Sequence, residues 1–405
     1  MTRRFFVWLH RWVGLLMTVF LILVGVTGSL LAFNTDLERL VSPQLFATPP
    51  SPDARQLDLA TLAEQAEAQE PHIRASYFSV AAGQVNMHVL PRTDPATGKP
   101  YGDVNFNQMF LDPWTGKELG RRMWADLSQG TINLMPFIYQ LHMNLALGSP
   151  GEWTLGIVAL AWTLDCFYAI YLTFPTGWSR FFIRWRPAWT IRWPAAGFRM
   201  NYDAHRASGL WFAPLLFIFA WSSVMFNLHP VYEWTTATLF DFTSMQEEMK
   251  TIHPAHPSPD PRLSWKEGLH RSQQLMEELA KQEGFTIHKP FGFAYLSDPG
   301  VYSYTVESSR DISEDSWDGM GIWVDGDTGE LQKVFFPTGE HTGDTISHWL
   351  RILHFANVHG WVAYRVLVCL LGVVITILAG TGVYIWWKKL RSRRISTARR
   401  LAAAR

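Results

Sequence analysis

A chain of 405 residues with 20 Trp and 26 Phe has room for more than one compact unit and carries more aromatic side chains than a soluble enzyme of that length needs. Its 35 basic and 35 acidic residues cancel, so total charge offers no attraction to nucleic acid. Cys166 and Cys369 are the only cysteines, and their apolar surroundings mark them as small buried hydrophobes rather than a disulfide or zinc site.

Four apolar runs, residues 6–33, 152–174, 207–228 and 361–387, each supply enough predominantly apolar positions to cross a hydrocarbon core of roughly 30 Å as a helix. The first run is too long for a cleaved leader and lacks a convincing small-residue cleavage site, so it is expected to stay as an anchor. Between the second and third runs, Arg180, Arg184, Arg186, Arg192 and Arg199 face a single acid, Asp203, and the tail KKLRSRRISTARR has no acid at all. The positive-inside rule then places the N-terminus, this loop and the tail in the cytoplasm. The chain divides into a first span (1–34), an outward domain (35–151), a returning span (152–174), a basic loop (175–206), a third span (207–228), a second outward domain (229–360), a fourth span (361–387) and a basic tail (388–405).

Each outward segment has the same order of elements. A helix-like stretch, LDLATLAEQAEAQ or SWKEGLHRSQQLMEELAKQ, precedes alternating strand residues and then a turn, in MFLDPWTGKEL and GIWVDGDTGEL. Asp at the start and Gly at the end suit a tight turn between antiparallel strands. Asp112 and Asp325 recur at nearly the same offset as His142 and His354, which signals an internal duplication of span, domain, span. Such a parallel repeat has its two-fold axis along the membrane normal, so equivalent residues face one another.

Four histidines stand at the ends of these spans. His10 in LHRWVGL matches His205 in AHRASGLW at the inner level, and His142 in YQLHMNLALG matches His354 in RILHFANVHG at the outer level. Two imidazoles from facing helices can clamp one haem iron from both sides, which suits electron transfer, and without a C-x-x-C-H motif both haems would be b-type. Arg11 and Arg206, which follow the inner histidines, and Arg365 in the fourth span are candidates to pair the haem propionates. For Arg11 and Arg206 positive-inside bias explains the charge equally well, and an interfacial histidine needs no cofactor to be comfortable. Asp165 is the one carboxylate deep in an apolar run and must be paired or protonated. Trp162, Phe167 and Tyr168 lie between the two levels, either as an electron path or as packing. His229, His348 and His359 compete for the outer site, His341 and His348 are candidates for contact with an iron-bearing ligand, and TIHPAHPSPDPR reads as an extended linker.

The repeat, the V-D-x-x-T-G-E turn at Val324 to Glu330 with its variant L-D-P-W-T-G-K-E at Leu111 to Glu118, helix-initial LHRWVGL and closing G-x-G-V-Y-I-W-W together resemble the PepSY-associated transmembrane family over nearly the whole chain. The resemblance implies a membrane α-helical protein with four transmembrane helices and two α+β PepSY-like periplasmic domains. Within the family the chain is most similar to inner-membrane ferric-siderophore reductases of the ferrioxamine type. That likeness implies two haem b groups, a ferric siderophore as substrate, and a cytoplasmic electron donor or quinol, since no G-x-G-x-x-G for flavin or nicotinamide is present. A quinol-linked oxidoreductase with another substrate, a non-enzymatic PepSY peptidase-binding or sensor protein, and transport of the intact iron complex stay open as alternatives.

Overall fold

The computed structural model describes residues 2–81, 83–193, 197–243, 252, 260–313, 319–358 and 360–403. His359 and most of the proline-rich linker lie outside the described residues. Two compact units emerge: a helical unit of Met1–Ala32, Tyr139–Tyr232 and Val362–Arg405, and a sheet unit of Phe33–Ile138 and Glu233–Trp361.

In chain order the elements are α1 (Arg3–Leu31), α2 (Asn34–Val41), α3 (Leu59–Gln69), β1 (Ile73–Ala81), β2 (Gln84–Pro91), β3 (Gln108–Leu111), β4 (Glu118–Arg122), α4 (Leu134–Asn144), α5 (Ser149–Thr173), α6 (Phe181–Trp185), α7 (Phe198–Trp211), α8 (Ala213–Asn227), α9 (His229–Leu239), α10 (Trp265–Glu283), β5 (Ile287–Leu296), β6 (Val301–Ser308), β7 (Met320–Asp325), β8 (Leu331–Phe335), α11 (Thr342–His354) and α12 (Val362–Ala403), with short 3-10 turns between some of them.

Among the described residues α1, α5 and α12 are each long and apolar enough to cross a membrane. The third run differs from expectation: α7 and α8 meet at a 68° bend rather than forming one straight span. Phe212 sits at the break, and Pro214 in the first turn of α8 supplies the cause, because its ring lacks an N–H and collides with the carbonyl four residues back. His205 therefore lies within α7, ahead of the bend. The fourth span also differs, since α12 continues without interruption through the basic tail.

Glycine sets how closely the spans approach. A Cβ at Gly25 would lie 2.7 Å from the Gly372 carbonyl, so α1 and α12 touch backbone to backbone, with Ser29 Oγ donating to the Cys369 carbonyl at 2.8 Å. A Cβ at Gly156 would likewise meet the Asn227 carbonyl at 2.7 Å, which joins α5 to α8.

Two separate outward domains were expected; instead all eight strands form one antiparallel sheet in the order β4-β3-β2-β1-β5-β6-β7-β8. At the seam Tyr77 pairs with Ala294, Phe78 with Phe293 and Ser79 with Gly292. Each half would otherwise carry a bare edge, and pairing the two edges satisfies both rows of backbone groups. Phe78 and Phe293 are fully buried there under Trp265 of α10, whose ring lies 5.7 and 5.6 Å from theirs. This single core also takes Leu62 and Ala63 from α3 and Leu269 and Met276 from α10. The capping box between Ser264 and Glu267 and left-handed Gly284 start and stop α10 where its pattern predicts.

The two turns fold as their sequences specify. Asp112 Oδ1 accepts from the Trp114 and Thr115 amides, and Asp325 Oδ1 from those of Asp327 and Thr328. Gly116 and Gly329 close them at φ of 71° and 72°, a region costly for any residue with a Cβ.

Candidate functional site

The inner pair of histidines meets inside the helical unit. His10 on α1 and His205 on α7 have ring centroids 6.3 Å apart and planes inclined at 59°, so the rings neither stack nor bond to one another. Metal–nitrogen bonds of about 2 Å on either side of one iron would put the two nitrogens about 4 Å apart and the ring centroids roughly 6 Å apart. The observed separation matches that spacing.

Each ring is also fixed in the tautomer that ligation needs. His10 Nδ1 lies 2.8 Å from Asp165 Oδ1, and His205 Nδ1 lies 2.9 Å from Thr381 Oγ1. The Thr381 hydroxyl spends its own proton on the Ile377 carbonyl at 2.8 Å, so it accepts from His205 rather than donating to it. In both rings Nδ1–H is the donor, which leaves the Nε2 lone pair for the cavity. Asp165, the lone buried acid of its run, thus has its partner in His10.

That cavity holds about 470 Å³. Gly14, Trp162, Gly209, Leu216, Leu378 and Trp386 contribute to its walls. A Cβ built on Gly14 or on Gly209 would have no atom within 4 Å, so each glycine opens flat space beside a histidine one helical turn back. The cavity is also lined by Arg3, Arg11, Arg206 and Lys389. Arg3 is engaged with the Leu172 and Phe174 carbonyls, whereas Arg11 makes no hydrogen bond or ion pair with the described residues. Arg206 pairs with Asp203 and donates to the Pro187 carbonyl, yet its Nε is buried with no hydrogen-bond partner among the described residues. Buried donors are normally satisfied, so an unmet N–H here fits an anionic group. A flat, two-sided, mostly apolar slot with cations among its lining is what a haem with propionates requires, and these residues fit it. Among the described residues no group of three or more His, Cys, Asp or Glu side chains is placed to hold a bare metal ion.

At the other level the expected partners fall in different units. His142 belongs to the helical unit, where its Nδ1 lies 2.9 Å from Thr27 Oγ1 on α1. Thr27 donates to the Leu23 carbonyl at 2.8 Å and so accepts from His142. His354 ends α11 in the sheet unit, beside Phe355. His348 on the same helix is 3% exposed, and neither ring nitrogen has a hydrogen-bond partner among the described residues. Burial lowers its pKa to about 4, so it is neutral at neutral pH. His341 is at the start of α11, 2.8 Å from Asp241, and its pKa is raised by that carboxylate.

Several expected roles change. Arg365 donates Nε–H to the Ala32 carbonyl at 2.8 Å and so caps the end of α1, a helix-terminal use that accounts for a cation there without a propionate. Phe167 is 60% exposed and packs on Phe217 at the outer surface of the spans, off any path between the two levels; Trp162 lines the cavity, and Tyr168 packs edge-on against His10.

Sequence reasoning passed over Gly14, Gly209 and two Thr-Gly pairs. Thr381-Gly382 lies against His205 and Thr27-Gly28 against His142, the threonine taking Nδ1–H and the glycine making room for Cε1. The signal was present, as H-R-x-x-G twice and T-G twice in the spans.

The profile of the PepSY-associated TM region matches residues 7–389. The chain belongs to the PepSY-associated TM family. Its apolar helices and its family make it a membrane protein. No match is found among curated proteins.

Proposed function

We propose that this PepSY-associated TM protein is a di-haem b-type reductase of the bacterial inner membrane, which passes electrons across the bilayer to a periplasmic ferric siderophore and releases ferrous iron. The observation that carries the reading is the inner pair: two histidines at ligating separation, each held through Nδ1, across a slot floored by glycine. Bound haems would supply one-electron carriers at two depths. His10 and His205, which line one cavity with Arg11 and Arg206, would hold the inner haem iron, and the two arginines would pair its propionates. Apolar span residues exclude water. His142, held by Thr27, is the outer ligand that the helical unit contributes in this reading.

Orientation follows from charge. The arginines of the 175–206 loop and the tail mark the cytoplasmic side, where a donor protein or quinol delivers one electron at a time. The sheet unit then faces the periplasm. One electron converts bound Fe³⁺ to Fe²⁺, which holds hard oxygen donors less tightly, so the metal leaves its chelator. The strand order radiating from the β1–β5 seam and the turn pair at Asp112 and Asp325 support two copies of one ancestral unit.

Purified protein gives the test. Pyridine haemochrome assay is expected to find two haems per chain, falling to about one in His10→Ala, His205→Ala or His142→Ala. Ferric siderophore added anaerobically should reoxidise the dithionite-reduced protein. A colourless protein would end the haem reading, and a coloured one that ferric siderophore fails to reoxidise would end the substrate assignment.

A further inference from the structure

Three histidines of the helical unit are held through Nδ1, and one partner differs in kind. His205 and His142 each donate to a threonine hydroxyl, Thr381 and Thr27, at 2.9 Å, while His10 donates to the Asp165 carboxylate at 2.8 Å. The two acceptors of the inner pair lie on matched spans, Asp165 on the second and Thr381 on the fourth, about one helical turn out of register at the offset of the Asp112 and Asp325 turns. One arm of the inner pair thus keeps a neutral acceptor, and the other carries an acid.

A carboxylate behind an imidazole raises the basicity of the ligating nitrogen, because negative charge on the acceptor draws the Nδ1 proton and pushes electron density toward Nε2. A more basic ligand stabilises ferric over ferrous iron and lowers the reduction potential. Asp165 is 8% exposed, so little solvent screens it. A neutral hydroxyl has a much smaller effect. Placing an acid in an apolar run is expensive, and bracing a ring needs only the hydroxyl that serves His205 and His142.

We propose that Asp165 is a positioning residue that, through His10, holds the haem at the His10–His205 level at a lower reduction potential than the haem at the other level, so that electrons run outward downhill. This rests on the di-haem reading above. Asp165 lies at the cavity wall behind His10, and in this proposal it acts through the ring it holds.

Spectroelectrochemical titration of the purified holoprotein tests it, with Asp165→Asn, Asp165→Thr and, as the neutral counterpart, Thr381→Val. Wild type is expected to show two one-electron waves. In Asp165→Asn the lower wave should rise by at least the equivalent of a tenfold change in its equilibrium, 59 mV for one electron, with the upper wave unmoved. Asp165→Thr, which installs the acceptor already used elsewhere in the molecule, should retain two haems and show the same rise; Thr381→Val should leave the lower wave within a threefold change. An unmoved lower wave in both Asp165 variants, or movement of the upper wave instead, overturns the proposal while leaving the haem reading intact. Absence of a Soret band from the wild type overturns both.

Discussion

Filling the glycine floor of the inner slot separates a cofactor cradle from ordinary helix packing, because the two make opposite predictions. Gly14 and Gly209 sit inside α1 and α7, where glycine is worse than alanine by roughly 0.5–1 kcal/mol through backbone entropy. A Cβ at either position meets no atom within 4 Å, so Gly14→Ala and Gly209→Ala relieve that penalty at no steric cost to the protein itself. The haem-free chain should therefore be as stable or slightly more so. A flat macrocycle resting on those backbones would be displaced by a side chain, carrying its iron away from the distance that ligation requires. Gly14→Val and Gly209→Val, which bring two further methyl groups, are expected to cut haem affinity at the inner level at least tenfold, about 1.4 kcal/mol. The assay is haem titration of haem-depleted protein in detergent followed at the Soret band, with a parallel thermal melt of the depleted form. Unchanged titration curves in both valine variants would refute the cradle. A large destabilisation of the depleted form would show instead that the space is filled by protein.

Gly25→Val should force α1 and α12 apart at their backbone contact, a close-packing penalty of roughly 1–3 kcal/mol that appears as a lower melting midpoint. Trp265→Ala removes the ring that covers the β1–β5 seam and should destabilise the sheet unit by about 3–5 kcal/mol, measured by denaturant titration. His348 has a pKa of about 4 when folded against an ordinary 6.5, so between those values only the unfolded chain takes up the proton. Stability should accordingly fall by about 3 kcal/mol as pH drops from 6.5 to 4, and His348→Leu should flatten that part of the pH profile in thermal melts.

Local chemistry was legible in the sequence wherever one segment decides its own conformation. The Asp-to-Gly turns at 112–116 and 325–329, the capping box of α10 and three of the four apolar spans follow from neighbours a few residues apart. The pairing of His10 with His205 was also legible, because the same H-R dipeptide marks both spans. The bend at Phe212 had a visible cause in Pro214, but the apolar run continues across it and hydropathy alone is blind to a break. Fusion of the two domains into one sheet was not legible, since Phe78 and Phe293 meet over more than two hundred residues and nothing in either strand names its partner. The threonines behind His205 and His142 were passed over for a different reason: a hydroxyl in an apolar helix ordinarily bonds its own turn, and only the fold reveals a second use.

The seam between β1 and β5 binds the two halves of the sheet to one another. Each half lends the other the hydrogen-bonding rim that its outermost strand lacks, so a truncated form carrying one half would display a sticky, unpaired border and clump. Loss of either half strips the other of its neighbour, so the two are expected to fold and fail together.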